Sequence, residues 1–164
     1  MTQANPNILI RAGEGLAALR QVDVAEILPL VRLDRPASAP RALAGFMNLG
    51  GAPTPVLRLA VLMGGEPVAD DDVYSHIVLL KPIDGRPSIG LLADRVLDAA
   101  ATAEASAPVS PDESLNGVVA ETLTINGRFV PRLDAAKLLL AEEEARLAEM
   151  TRAMAERLAE WSAA

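Results

Sequence analysis

The sequence predicts a mainly β protein built from two related β-units and closed by one long C-terminal helix. Strand-like runs are joined by Gly13-Glu14-Gly15, Gly50-Gly51, Asp84-Gly85 and Asn126-Gly127, turn residues that accept the positive φ angles of tight hairpins. The frame G-x-x-x-P-x-L-x-x-A-x-L occurs twice, because Gly51, Pro55, Leu57, Ala60 and Leu62 recur 76 residues later as Gly127, Pro131, Leu133, Ala136 and Leu138. From Asp134 onward the apolar period lengthens from two to about three and a half, with Leu140, Leu147, Met154 and Trp161 seven residues apart.

Taken in order, residues 7–11 and 16–20 form the first hairpin. VDVAEILPLVRL admits a helical turn over 22–28 before a strand at 30–33, and periodicity alone does not decide it. DRPASAPRALAG is punctuated by Pro36 and Pro40 and reads as a loop. It leads into a strand over 45–49 and a second that carries Pro53 and Pro55. Since proline cannot donate to a ladder, that second strand is expected at a sheet edge. GGEPVADDD is the natural boundary between the units, a linker near residues 64–73. YSHIVLLK and PSIGLLA then pair across Asp84-Gly85, and LNGVVAETLTINGRFVPRL gives the second Pro-bearing hairpin. These boundaries place a β-domain at 1–134 and a helix at 135–164, near 27 residues long, with Asp134 as its N-cap. Met150 and Leu158 widen its apolar stripe, and Glu142-Glu143-Glu144 interrupts it where a heptad would continue.

Composition narrows function by exclusion. A net charge of −7 opposes a phosphate-backbone partner, so no nucleic acid is expected, and four aromatics are too few for base-stacking platforms. No cysteine is present, which excludes disulfides and thiolate metal sites. No apolar run approaches the ~20 residues of a membrane span, and the N-terminus has no basic region followed by an apolar core, so a cytoplasmic protein without membrane insertion is expected.

The same residues offer little chemistry. His76 is the sole histidine and Ser75 precedes it directly, so in a strand the two point to opposite faces and cannot act as a base and nucleophile pair. One histidine without cysteine leaves no transition-metal set, and Asp70-Asp71-Asp72 reads as a solvated loop rather than a cation site. No phosphate-binding glycine pattern occurs. No catalytic residue, metal or cofactor is therefore expected. A small enzyme or enzyme subunit is the reading for which only His76 and Asp70–Asp72 speak.

The order of motifs resembles the CheW-like family of chemotaxis coupling proteins. The resemblance rests on Gly45, Asn48, Leu49, Gly51, Pro55, Val56 and Leu59, then on Gly90, Asp94 and Val96, then on Gly117, and finally on Leu133, Asp134, Leu138 and Leu139. It spans roughly residues 7–140. It implies two side-by-side five-stranded SH3-like β-barrels. It further implies a non-enzymatic adaptor joining the cytoplasmic tip of methyl-accepting chemoreceptors to the regulatory domain of a CheA-type histidine kinase. Two departures stand out: the family's turn arginine is replaced by Gly50, and the aspartate of its Pro-Val-x-Asp-Leu strand by Arg58. Losing a charge-assisted contact and reversing a charge would weaken the usual contacts or select another partner, so the alternative is a divergent scaffold serving a different assembly. The expected partner-binding residues are Asn48, Leu49, Gly50, Gly51, Pro55, Val56, Arg58 and Asp94. Trp161 joins them because the helix runs beyond the family's usual length, as a docking or self-association element.

Overall fold

The computed structural model describes residues 5–66 and 74–162, with the side chain of Ser162 excluded; the carboxylates Asp70–Asp72 lie outside the described residues. Among the described residues eleven strands form two sheets. One contains the N-terminal hairpin β1 (Asn7–Ala12) and β2 (Gly15–Arg20) with β8 (Arg95–Ala101), β9 (Ala105–Pro108), β10 (Val119–Ile125) and β11 (Arg128–Leu133), in the order β8-β1-β2-β11-β10-β9. The other contains β3 (Val24–Pro29), β4 (Leu43–Leu49), β5 (Ala52–Arg58), β6 (His76–Leu80) and β7 (Gly90–Ala93), in the order β3-β6-β7-β5-β4.

The mainly β architecture with a C-terminal helix is as the sequence predicts, but the sheets have six and five strands and neither closes into a barrel. Short and bulged edges account for the openness. β9 has four residues and ends in Pro108, while β8 slips register twice against β1. The chain also divides differently from a cut at residues 64–73. Strands on both sides of that stretch, β3 to β5 and β6 to β7, share one sheet, and the N-terminal hairpin joins the C-terminal strands in the other.

Four pairings produce this arrangement: antiparallel β1 with β8 and β3 with β6, and two parallel contacts, Val56 opposite Gly90 between β5 and β7 and Arg132 opposite Ala18 between β11 and β2. Val56 and Arg132 are themselves 76 residues apart, so the sequence repeat is a repeat of local structure. Each copy is a hairpin with positive φ at both turn residues (Gly50 and Gly51; Asn126 and Gly127), a Pro-bearing strand, a short parallel partner and a helical turn. Those turns are α1 (Leu59–Leu62) and a 3-10 turn at Ala135–Lys137.

The same geometry corrects the expectation that β5 is an edge strand. It lies between β7 and β4, yet Pro53 and Pro55 precede Val56, where pairing with β7 begins, so neither missing N–H removes a ladder bond on that side. Residues 22–33 also differ from the helical turn and late strand considered above. A 3-10 turn at Gln21–Asp23 leads into β3, and pairing with β6 from Val24 to Pro29 decides what periodicity could not.

One apolar cluster is shared by both sheets. Ile8, Ile10 and Leu19 from the first meet Phe46, Leu57, Val78 and Leu91 from the second, all nearly or fully buried. Each large aliphatic removed from water there contributes roughly 1.5–3 kcal/mol. Within the five-stranded sheet Gly90 leaves room for its neighbours, since a Cβ at this position would stand 2.8 Å from Ile77 Cγ2 and 3.3 Å from Val56 Cγ2.

The helix is shorter than expected. Asp134 caps the 3-10 turn, its Oδ1 accepting from Ala136 N at 3.0 Å. The long helix α2 covers Ala141–Ser162, 22 residues and about 33 Å. Leu140 precedes it and is 55% exposed, outside the packed stripe, with its N–H bonded to Glu143 Oε1 at 2.8 Å. Glu142 to Glu144 therefore occupy the first turn, where carboxylates complement the helix dipole, instead of breaking a stripe. Leu147, Met150 and Met154 pack against the shared core.

Candidate partner-binding surface

The expected binding residues fall into five places. At the tip of the β4–β5 hairpin, Gly50 and Gly51 adopt φ of +62° and +91°, and Asn48 Oδ1 accepts a hydrogen bond from Gly51 N at 2.7 Å. Asn48 thus acts on the turn itself, holding it in shape by an Asx-type contact. Leu49 is 38% exposed beside it, and no atom lies within 4 Å of where a Cβ on Gly50 or Gly51 would stand. The tip is open on its outer side.

Pro55 and Val56 belong to the interior. Val56 is fully buried beside Gly90, and Pro55 is buried beneath α2, so both support the tip rather than present a side chain to a partner. Arg58 stands seven residues along the strand from Gly51, about 20 Å from the tip at strand rise. Its Nη1 donates to Arg41 O at 2.8 Å and its backbone N to Ala42 O at 2.7 Å, which fastens the 35–42 loop. Gly50 and Arg58, both departures from the resembled pattern, are not neighbours.

Asp94 sits at the passage from β7 to β8, where the chain leaves one sheet for the other. Its backbone N donates to Arg11 O at 2.9 Å, and its carboxylate accepts from Gly13 N in the β1–β2 turn. Both bonds cross between segments about 80 residues apart. The other crossing, from β2 to β3, is held by Arg20, whose pKa is raised by the hydrogen bond and charge of Asp23.

Trp161 is 77% exposed near the end of α2, beyond the part of the helix that packs. Tyr74 and Phe129 are 59% and 81% exposed, so of the four aromatics only Phe46 is in the core. Phe129 was not singled out by sequence reasoning. The available signal was its place two residues after Gly127 and next to Val130, which in an alternating strand turns Phe129 outward when Val130 turns in.

His76 Nδ1 lies 2.8 Å from Tyr74 O, and Ser75 is buried. Among the described residues no group of three or more His, Asp or Glu is placed to hold a metal ion, and no helix is long and apolar enough to cross a membrane.

Comparison with known proteins agrees with the geometry. Residues 7–143 match the family described as the CheW-like domain. Among solved structures, the crystal structure of the scaffolding protein TtCheW from Thermoanaerobacter tengcongensis superposes with a TM-score of 0.74 at 19% identity, covering 87% of this chain and 92% of that one. At that identity the likeness is one of fold. No curated protein matches the sequence.

Proposed function

The chain belongs to the CheW-like family, and from that premise we propose that it is a non-enzymatic, cytoplasmic adaptor coupling a chemoreceptor's cytoplasmic tip to the regulatory domain of a CheA-type histidine kinase. The observation that carries the reading is the family match over residues 7–143, which takes in both sheets and both repeated hairpins. The open hairpin tip at Leu49 to Gly51 and the outward Phe129 and Trp161 are the contacts assigned to partners, since exposed aromatics are over-represented at interface centres.

The test is a titration of purified protein against a receptor signalling tip and against a kinase regulatory domain, followed by kinase activity with all three mixed. Saturable binding to both, with receptor-dependent kinase activity that requires this chain, is expected. Binding to neither sinks the reading.

Gly50 and Arg58 favour a second reading, a scaffold of the same fold serving a different assembly. An affinity purification in which partners other than a receptor and kinase are retained stoichiometrically, while the titrations above fail, selects it.

A further inference from the structure

The first turns of α2 do not close onto the sheet beneath them. Between the helix, the β6–β7 connection and the 3-10 turn lies a cavity of about 300 Å³, open on one side. Its floor is Pro55, Leu80 and Ile89, its wall Leu138 and Leu139, and its roof Leu147 and Ala148. An apolar cavity of ~150 Å³ suffices to hold benzene, so this one accommodates about twelve non-hydrogen atoms. Interiors normally fill such volumes.

Three charged side chains border the opening: Lys81, Arg86 and Glu144. Glu144 is already committed to Arg86, which also donates from Nη2 to Ala136 O at 3.3 Å. Lys81 makes no ion pair or side-chain hydrogen bond among the described residues; only its backbone is bonded, to Asp23 O. The mouth therefore carries one uncompensated positive charge, in a chain of net charge −7.

We propose that this cavity is a binding site for a small apolar carboxylate, its chain lying between sheet and helix and its carboxylate on the Lys81 ammonium. An amine is disfavoured because the one carboxylate at the mouth is already paired with Arg86, and a neutral molecule would leave Lys81 without its partner. The size and charge of the ligand follow from the cavity alone and stand apart from the adaptor reading. A bound chain bridges the inner half of α2 to β5, so occupancy holds the helix down.

The test uses the full-length protein with octanoate as probe, and 1-octanol and octylamine as its neutral and cationic counterparts. Calorimetry should show saturable binding of octanoate, at least about tenfold tighter than either counterpart. Methyl resonances of Ile83, Ile89 and Leu147 should shift, and amide exchange at residues 144–151 should slow. Lys81→Gln should weaken octanoate about tenfold and bring it level with octanol, and Ala148→Phe, which fills the roof, should abolish binding. No saturable binding overturns the site. Octanol binding as tightly as octanoate overturns the carboxylate assignment. Shifts confined to methyls elsewhere, read on the unmodified protein, place the binding outside the cavity and overturn the proposal even if a variant fails to fold.

Discussion

Gly50 holds φ at +62° with open space where a Cβ would stand, so an arginine there meets backbone strain but no steric clash. The left-handed conformation costs a non-glycine residue roughly 1–2 kcal/mol, and a charge-assisted contact contributes about 1.5–3 kcal/mol. Gly50→Arg is therefore expected to lower Tm by several degrees while tightening binding to a standard receptor–kinase pair about ten- to a hundredfold. A titration and a melting curve on the same variant check both halves, and unchanged affinity in a folded variant counts against the tip as a partner contact. Because Arg58 is about 20 Å away at strand rise, Arg58→Asp is expected to act separately, loosening the 35–42 loop through the lost bond to Arg41 O. Asp94→Ala removes the carboxylate that accepts from Gly13 N. Loss of such a charged acceptor costs about 1.5–3 kcal/mol, several degrees in Tm for a chain of this size. A drop within a degree of zero would show that the junction is held by the backbone bond alone.

Among the elements, α2 divides into two halves with different surroundings. Leu147, Met150 and Met154 are half-buried on the core, whereas Trp161 near the end is 77% exposed. An isolated helix shorter than about 12–15 residues is marginal in water, so the short outer segment beyond Met154 draws its order from the docked half. Ending the chain after Ala155 keeps Leu147, Met150 and Met154 and removes the half-buried Leu158 and the exposed Trp161. The shortened protein is expected to melt within a few degrees of the full chain but to lose affinity in one interaction, partner binding or self-association. Sedimentation and titration read the two outcomes. If neither changes, and Trp161 in the intact complex emits like free tryptophan, the outer turns are a solvated tail.

For the whole molecule, local chemistry was legible in the sequence and long-range pairing was not. The hairpin turns declared themselves because Gly-Gly, Asp-Gly and Asn-Gly have few other conformations to serve. The 76-residue repeat marked two units. What stayed hidden were the pairings that mix the halves of the chain, β1 with β8, β3 with β6 and the two parallel contacts, since Ile10 opposite Val96, Ile27 opposite Val78, Val56 opposite Gly90 and Arg132 opposite Ala18 depend on packing between segments distant in sequence. Proline in β5 misled for the same reason: its effect depends on where the neighbouring strand begins. Asn48 and Asp94 were picked out by motif, but their hydrogen bonds to Gly51 and Gly13 emerge only in three dimensions. That mixing has a measurable consequence. Each sheet has a small cluster of its own, around Leu9, Leu123 and Val130 in one and Met47, Val56 and Ile77 in the other, but Ile8 and Ile10 of one sheet and Val78 and Leu91 of the other share the larger cluster that joins them. The molecule is expected to unfold in a single cooperative transition, with amide protection in β1 and β6 lost together. Leu91 is fully buried, and Leu91→Ala should cost about 2–5 kcal/mol, roughly 5–15 °C in Tm, and lower the protection of both sheets alike. Two resolved transitions, or a loss of protection confined to the five-stranded sheet, would show that the sheets fold as separate units despite their common cluster.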